Sequence, residues 1–156
     1  MSSRVSAGIV LFRRADGTLE VLLAHPGGPY FAARDEDVWS IPKGEVEPDE
    51  TLYEVARREF EEETGHQPPD GPAIELGSIV QKGGKVVHGW ALEGDLDPAL
   101  ARSNTFPLEW PPRSGQTILV PEIDRVAWFE GTEARRHLKA TQIPLLERLE
   151  AALESG

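Results

Sequence analysis

The chain has 156 residues, a formal net charge of −11 and no cysteine. At this length about two thirds of the unfolded surface can be buried, so one domain with a hydrophobic core is expected over residues 1–156. The lack of cysteine excludes disulfide frameworks, thiolate nucleophiles and zinc fingers. The acidic charge argues against electrostatic binding to duplex nucleic acid or to anionic membranes. No segment resembles a membrane span or a signal peptide, so a cytoplasmic protein is expected.

The first half of the chain is predicted to begin with two apolar strands. They lie at Val5–Arg13 and Leu19–His25 and are joined by a turn at Asp16-Gly17. The first strand is apolar on both faces, which is typical of a strand that is covered on two sides. A loop follows and leads to a short predicted strand at Val38–Ile41.

The second half returns to strands before two late helices. Gly83-Gly84 predicts a hairpin turn between Ile74–Lys82 and Lys85–Leu92, and the proline-rich stretch Glu93–Gly115 is expected to be irregular. The later predicted elements are short strands at Ile118–Val120 and Arg125–Phe129 and helices at Thr132–Leu138 and Ile143–Leu153. This order indicates a mixed α/β layered domain.

A helix is predicted from Glu50 to Thr64, with Asp49 as its N-cap and Gly65 as its stop. At about 100° per residue, one face of this helix is apolar. The residues of that apolar stripe are Leu52, Val55, Ala56 and Phe60. Glu59 and Glu63 fall at the middle of the stripe, with Glu62 at its margin and Glu54, Arg57 and Glu61 on the opposite side.

Two carboxylates on the core-facing side of a helix are unfavourable unless something compensates their charge. A solvated acidic surface accounts for Glu54 and Glu61 but not for Glu59 and Glu63. Carboxylates three or four residues apart on a helix converge on one point, and hard divalent cations prefer several oxygen ligands. Coordination of a divalent metal is therefore the predicted role, and a bound metal would also let an acidic protein hold a polyphosphate.

The spacing of this segment resembles the signature of the Nudix hydrolase family. Gly44 is followed after five residues by Glu50, and after seven more by Arg58-Glu59-Phe60, Glu62-Glu63 and finally Gly65. Phe60 replaces a commoner aliphatic residue, and His66 stands where a hydrophobic residue is usual. The resemblance implies an α/β fold, the Nudix-type α/β/α sandwich with a mixed β-sheet.

The resemblance also implies a divalent-metal-dependent pyrophosphohydrolase. Such an enzyme cleaves a phosphoanhydride bond in a nucleoside diphosphate linked to another moiety, such as a dinucleoside polyphosphate, a nucleoside triphosphate or a nucleotide-sugar. By position, Mg²⁺ or Mn²⁺ would be held by Glu59, Glu62, Glu63 and the carbonyl group of Lys43. Gly44 would allow a close approach of the loop to the metal ion.

Further roles follow from the resemblance and from local spacing. Glu50, Arg58 and Gly65 would hold the loop–helix–loop in shape, and Arg58 is one turn before Glu62, whose carboxylate it could fix by a charge-assisted hydrogen bond. The base that activates water differs among family members. A glutamate of the helix, Glu109 or Glu122 could serve, or the last two could be solvated loop acids.

Substrate contacts are expected from aromatic and basic residues outside the motif. Tyr30 and Trp110 could provide faces for a nucleobase, and Arg34, Lys43 and Arg113 could provide cations for phosphate groups. Lys82 and Lys85 are also candidates, although lysines beside a hairpin turn often only make an edge soluble. The segment from Ser103 to Gly115 is predicted to pack near the acidic helix and to form a wall of the substrate cleft.

A second hypothesis is a non-catalytic Nudix-like module that binds a nucleotide or a protein. Such modules typically lose glutamates of the motif, whereas this chain keeps them. The expected partner is a small nucleotide, and the sequence leaves the choice between monomer and homodimer open.

Overall fold

The computed structural model describes residues 4–155. Over these residues it contains eight strands and three α-helices. The strands are β1 (Val5–Ala15), β2 (Thr18–Pro26), β3 (Lys43–Glu45), β4 (Ile74–Val80), β5 (Val86–Glu93), β6 (Thr105–Glu109), β7 (Thr117–Pro121) and β8 (Ile123–Glu130). The helices are α1 (Leu52–Thr64), α2 (Gly131–His137) and α3 (Ile143–Ser155).

Six strands form one mixed sheet in the order β4–β5–β1–β2–β8, with β3 attached to β1. Strand β1 runs parallel to β5 and antiparallel to both β2 and β3. On one edge, β1 divides between two partners, because Ser6–Gly8 pair with β3 whereas Phe12–Ala15 pair with β2. This division places the loop that precedes α1 beside the centre of the sheet.

Helices cover both faces of the sheet. From β1, Ala7, Ile9 and Leu11 pack in one cluster with the buried residues of α1, whereas Val10 and Phe12 pack in a second cluster with residues of α3. Because neighbouring residues of a strand point to opposite faces, β1 is apolar throughout. The arrangement confirms the α/β/α sandwich with a mixed sheet that the sequence predicted.

The apolar stripe of α1 is buried largely as predicted. Phe60 is fully buried, and the helix ends at Gly65, which adopts a left-handed conformation with φ of 77°. Burying a phenylalanine contributes about 1.5–3 kcal/mol to stability, and truncation to alanine would cost about 3–5 kcal/mol. The prediction that Arg57 faces water is wrong, because its guanidinium donates hydrogen bonds to the carbonyl groups of Pro68 and Pro69.

Three local predictions differ from the structure. Helix α1 begins after Thr51 rather than Asp49, and the hydroxyl of Thr51 donates to Glu54 instead of capping a backbone amide. Residues 38–41 make only isolated bridges, at Trp39 and Ser40. The turn between β4 and β5 is a short 3₁₀ segment at Lys82–Gly84 rather than a two-residue turn.

The segment expected to be irregular contains part of a separate hairpin. Strand β6 pairs with β7 in antiparallel register, with Phe106 opposite Val120, and these two strands form a second sheet. Phe106 and Leu108 are half-buried, whereas Leu119 is 72% exposed. Within residues 4–155, no helix combines the length and apolar character that crossing a membrane would require.

Candidate active site

Strand β3 holds the loop before α1 against the helix. Ala7 of β1 lies opposite Gly44, and the amide of Lys43 donates a hydrogen bond of 3.3 Å to a carboxylate oxygen of Glu63. A Cβ atom on residue 44 would overlap the carboxylate of Glu59. Glycine at this position therefore allows the carboxylate of Glu59 to approach the backbone closely, and a larger residue would displace that side chain.

An open, polar cavity of about 470 Å³ lies between this loop and α1. Six glutamates line it, and four of them are Glu59, Glu62 and Glu63 of α1 and Glu122. The remaining lining residues are Lys43, Gly44, Glu45, Glu47, Arg58, Lys85 and Asn104. The structure therefore brings the predicted metal ligands together with Glu122. Glu122 is one of the two residues outside the helix that the sequence offered as a base.

The acidic groups of this cavity are held in an unfavourable electrostatic environment. Glu63 is only 7% exposed, and burial together with the neighbouring charges of Glu122 and Glu59 raises its pKa to about 8. The side chain of Glu59 is 15% exposed, and burial and the nearby Glu62 raise its pKa to about 7. Burial and the nearby Lys85 and Lys139 lower the pKa of Lys43 to about 8.

The sequence led us to expect a contact between Arg58 and Glu62, but the structure gives Arg58 other partners. Its guanidinium lies 2.7 Å from the carboxylate of Glu50 and 3.4 Å from that of Glu59. The second oxygen of Glu50 accepts a hydrogen bond of 3.0 Å from the amide of Glu47. Arg58 therefore links the loop before α1 to an acid of the cavity, because the side chain points back along the helix rather than forward.

Asn104 is a cavity residue that the sequence analysis missed. Its amide donates a hydrogen bond of 2.9 Å to the carbonyl group of Glu62, and its own carbonyl group accepts one of 2.9 Å from the amide of Glu122. Asn104 thus joins the end of α1 to the segment that carries Glu122. No local pattern could have identified it, since the two segments are distant in sequence. The other candidate base, Glu109, instead accepts a hydrogen bond from Gly115 within its hairpin.

The C-terminal end of α1 is packed as closely as the beginning. A Cβ atom on residue 65 would lie 2.9 Å from the carbonyl oxygen of Arg102, so glycine is required for space as well as for its positive φ. His66, which departs from the usual motif, places Nε2 3.0 Å from the carbonyl oxygen of Leu100. The substitution is therefore accommodated by a polar contact outside the cavity.

The residues of the cavity fit a hard divalent cation by their chemistry. Carboxylate and carbonyl oxygens are the ligands that Mg²⁺ and Mn²⁺ prefer, and the raised pKa values of Glu59 and Glu63 mark acids whose repulsion a cation would relieve. Over residues 4–155, no group of three or more acidic, histidine or cysteine side chains is already gathered as closely as metal ligands are.

The residues expected to bind the substrate are divided between different places. Lys43 lines the acidic cavity, whereas Arg34 lines a separate cavity of about 310 Å³. Tyr30 and Trp110 contact each other edge to face, with ring centroids 5.3 Å apart. Arg113 is exposed in the loop between β6 and β7, and Tyr30, Trp110 and Arg113 do not line the acidic cavity. The segment from Ser103 to Gly115 was expected to form a wall of the cleft, but of its residues only Asn104 lines the acidic cavity.

The family model described as the NUDIX domain matches residues 2–149. An RNA pyrophosphohydrolase of Erythrobacter litoralis (strain HTCC2594) is 46% identical over 50 residues, which are 29% of this chain and 30% of that relative. The matched region thus spans less than a third of that relative's length.

Similar solved structures include a binary complex of the Ap4A hydrolase of C. elegans. It has a TM-score of 0.65 and 22% identity, over 98% of this chain and 99% of that chain. The NUDIX domain of Shewanella oneidensis NrtR, complexed with ADP ribose, has a TM-score of 0.68 and 18% identity, over 98% and 90% of the two chains. At these identities the likeness concerns the fold. The family match over nearly the full length, together with the motif from Gly44 to Gly65, establishes that the chain belongs to the Nudix hydrolase family.

Proposed function

We propose that this protein is a divalent-metal-dependent pyrophosphohydrolase that cleaves a phosphoanhydride bond in a nucleoside diphosphate linked to another moiety. The observation that carries this proposal is that six glutamates line one cavity, two of which, Glu59 and Glu63, are held against the backbone around Gly44. Burying acids in this way is unfavourable for an unliganded fold and favourable for a cation site. The names of the Ap4A hydrolase and the RNA pyrophosphohydrolase agree with a phosphoanhydride substrate.

Glu59, Glu62, Glu63 and the carbonyl group of Lys43 are the groups proposed to hold Mg²⁺ or Mn²⁺. When bound, such an ion supplies charge neutralisation for the phosphate oxygens and lowers the pKa of a coordinated water. Gly44 keeps the loop close to Glu59, and Arg58 holds Glu59 and Glu50 in place through its two ion pairs. The ammonium group of Lys43 faces the same cavity and can contact a phosphate oxygen.

Glu122 is proposed as the base that takes a proton from the attacking water. It lines the acidic cavity but comes from the segment between β7 and β8, opposite the three carboxylates of α1. Among the described residues it has no ion-pair partner within 4 Å, so its carboxylate is free to accept a proton. The water oxygen bonds to phosphorus, its proton passes to Glu122, and the anhydride oxygen leaves with the second phosphate product.

Metal removal tests the proposal directly. After dialysis against a chelator, we expect no hydrolysis of a panel containing diadenosine tetraphosphate, ATP and ADP-ribose. Addition of magnesium or manganese should restore activity toward at least one of them. Full activity in the stripped protein, or no activity with any metal while the protein remains folded, would contradict the proposal. The second outcome would favour a non-catalytic binding module, which the retained glutamates of the motif argue against.

We also propose a compartment and a class of partner for this activity. An acidic chain without cysteine suits a reducing cytoplasm and a small nucleotide substrate, rather than duplex nucleic acid or an anionic membrane surface.

A further inference from the structure

A basic pocket lies beyond the acidic cavity, between the loop after β2, the turn between β4 and β5, and the segment after α2. It has a volume of about 310 Å³ and is lined by Arg34, Lys82 and Lys139 together with Asp37. The other lining residues are Gln81, Ala140 and Thr141. Three cations and one carboxylate give this pocket a net positive charge in a chain whose net charge is −11.

None of the three cations forms an ion pair with a carboxylate among the described residues. Within residues 4–155, no carboxylate oxygen lies within 4 Å of the charged groups of Arg34, Lys82 or Lys139. The acid of the pocket, Asp37, uses one oxygen to accept a hydrogen bond of 2.8 Å from the amide of Ala140. Clustered like charges without partners are unfavourable, and an anion would relieve that repulsion.

A third, small cavity shares lining residues with both the acidic cavity and the basic pocket. That cavity has a volume of about 120 Å³, and Lys43, Glu63 and Lys139 are among its lining residues. Lys43 and Glu63 also line the acidic cavity, and Lys139 also lines the basic pocket. Lys43 and Lys139 therefore line one small cavity that shares a wall with each of the two larger sites.

The walls of the basic pocket are fixed by a buried amide. Gln142 is fully buried, and its Oε1 accepts a hydrogen bond of 3.0 Å from the amide of Ile41. Its Nε2 donates to Ser40 Oγ at 2.9 Å and to Gln81 Oε1 at 2.8 Å. Gln142 thus joins three segments around the pocket. A preformed pocket loses less entropy on binding than a mobile one.

The loop that carries Arg34 is also anchored. The buried His25 places Nε2 2.6 Å from the carbonyl oxygen of Arg34 and Nδ1 2.9 Å from a carboxylate oxygen of Asp124. The guanidinium of Arg34 lies 5.8 Å from the ring centroid of Phe31. Arginine presents a planar set of donors that matches phosphate oxygens, and here its backbone is held while the side chain stays exposed.

We propose that the basic pocket formed by Arg34, Lys82 and Lys139 binds the distal phosphates of a substrate whose polyphosphate chain extends beyond the bond cleaved in the acidic cavity. The position of the cleaved bond rests on the proposed function. The substrate class is accordingly a nucleotide with a long phosphate chain, rather than a nucleotide-sugar, whose sugar would leave the three cations without anionic partners.

Direct binding to the metal-free protein tests the pocket without requiring catalysis. Inorganic tripolyphosphate is titrated calorimetrically into the full chain in the presence of chelator at fixed ionic strength. Arg34→Ala and Lys82→Ala should each weaken binding about tenfold, as expected for the loss of one charge-assisted hydrogen bond. Arg14→Ala is the matched control, since it removes the same charge from an exposed residue near the far end of β1 and should change Kd less than twofold.

A kinetic comparison separates this inference from the proposed function. Lys82→Ala should lower kcat/KM about tenfold for adenosine 5′-tetraphosphate and leave that for ADP-ribose unchanged. Equal losses for both substrates, no binding of tripolyphosphate by the wild type, or equal weakening by Arg14→Ala would overturn the inference. If the protein hydrolyses neither substrate, the proposed function fails and the calorimetric result alone decides whether the pocket binds polyphosphate.

Discussion

The acidic cavity and the basic pocket are neighbours with opposite charge and different construction. Half of the glutamates that line the cavity come from one helix, and the positions of these three follow from helical spacing on α1. The cations of the pocket come from three segments that are distant in sequence, and their positions depend on buried contacts such as those of Gln142. A local motif can therefore specify the acidic cavity, whereas the pocket depends on the whole fold.

The largest expected effect is on turnover and tests the acidic cavity. Glu63→Gln should reduce turnover by about 10²-fold or more while the circular dichroism spectrum stays unchanged, because a charged group close to the reaction is lost. Glu61→Gln, on the exposed side of the same helix, is the control and should keep turnover within a few-fold of wild type. If both variants behave alike, the buried side of α1 is not the metal site.

The second effect concerns stability and pH in the absence of metal. Glu63 has an ordinary pKa of 4.5, and the fold raises it to about 8, so the unfolded chain loses its proton first as the pH rises. The contribution of this group to stability is therefore complete below about pH 4.5 and is lost as the pH approaches 8. Between pH 5 and pH 8, Glu63→Gln should gain on the order of 3–4 kcal/mol in free energy of unfolding relative to wild type, since each pKa unit corresponds to about 1.4 kcal/mol.

Urea denaturation of the chelator-treated proteins at several pH values measures this gain. A difference between the two proteins that stays constant with pH would contradict the buried, protonated state of Glu63. Addition of magnesium should stabilise the wild type more than the variant, because a cation that binds only the folded state stabilises it.

A smaller effect tests the contact between loop and helix. Gly44→Ala places a methyl group where the carboxylate of Glu59 lies, and we expect kcat/KM to fall about tenfold because that acid is displaced. Gly71→Ala is a suitable control, since a Cβ atom there would have no other atom within 4 Å. Equal activity of the two variants would show that the position of Glu59 is not critical.

The smallest effect concerns the hairpin of β6 and β7. Arg113 is exposed and lines neither the acidic cavity nor the basic pocket, so Arg113→Ala should change KM and kcat less than twofold. Steady-state kinetics of Arg113→Ala and Lys82→Ala, measured with the same substrates, would sharpen the contrast between the two basic residues. A clear rise in KM for Arg113→Ala would instead support the substrate contact that the sequence indicated.

The sequence predicted those features that depend on local periodicity. The alternation of apolar residues located β1 and β2, and helical spacing placed Glu59 and Glu63 on the buried side of α1. It could not place Asn104 or Lys139, because their neighbours are determined by pairing between distant strands. For the same reason, it could not show that the segment after Asn104 forms a hairpin in which Trp110 packs on Tyr30 and does not line the acidic cavity.

The pairing of β2 with β8 has a consequence during protein synthesis. Leu23 lies opposite Ala127, so the strand that brings Glu122 toward α1 leaves the ribosome long after the helix itself. A nascent chain that ends before Glu122 already carries the glutamates of α1 but lacks both Glu122 and Lys139. Because chains emerge from the N-terminus, the proposed activity should arise only late in translation. Ribosome-bound intermediates would then leave the nucleotide pool of the cell untouched.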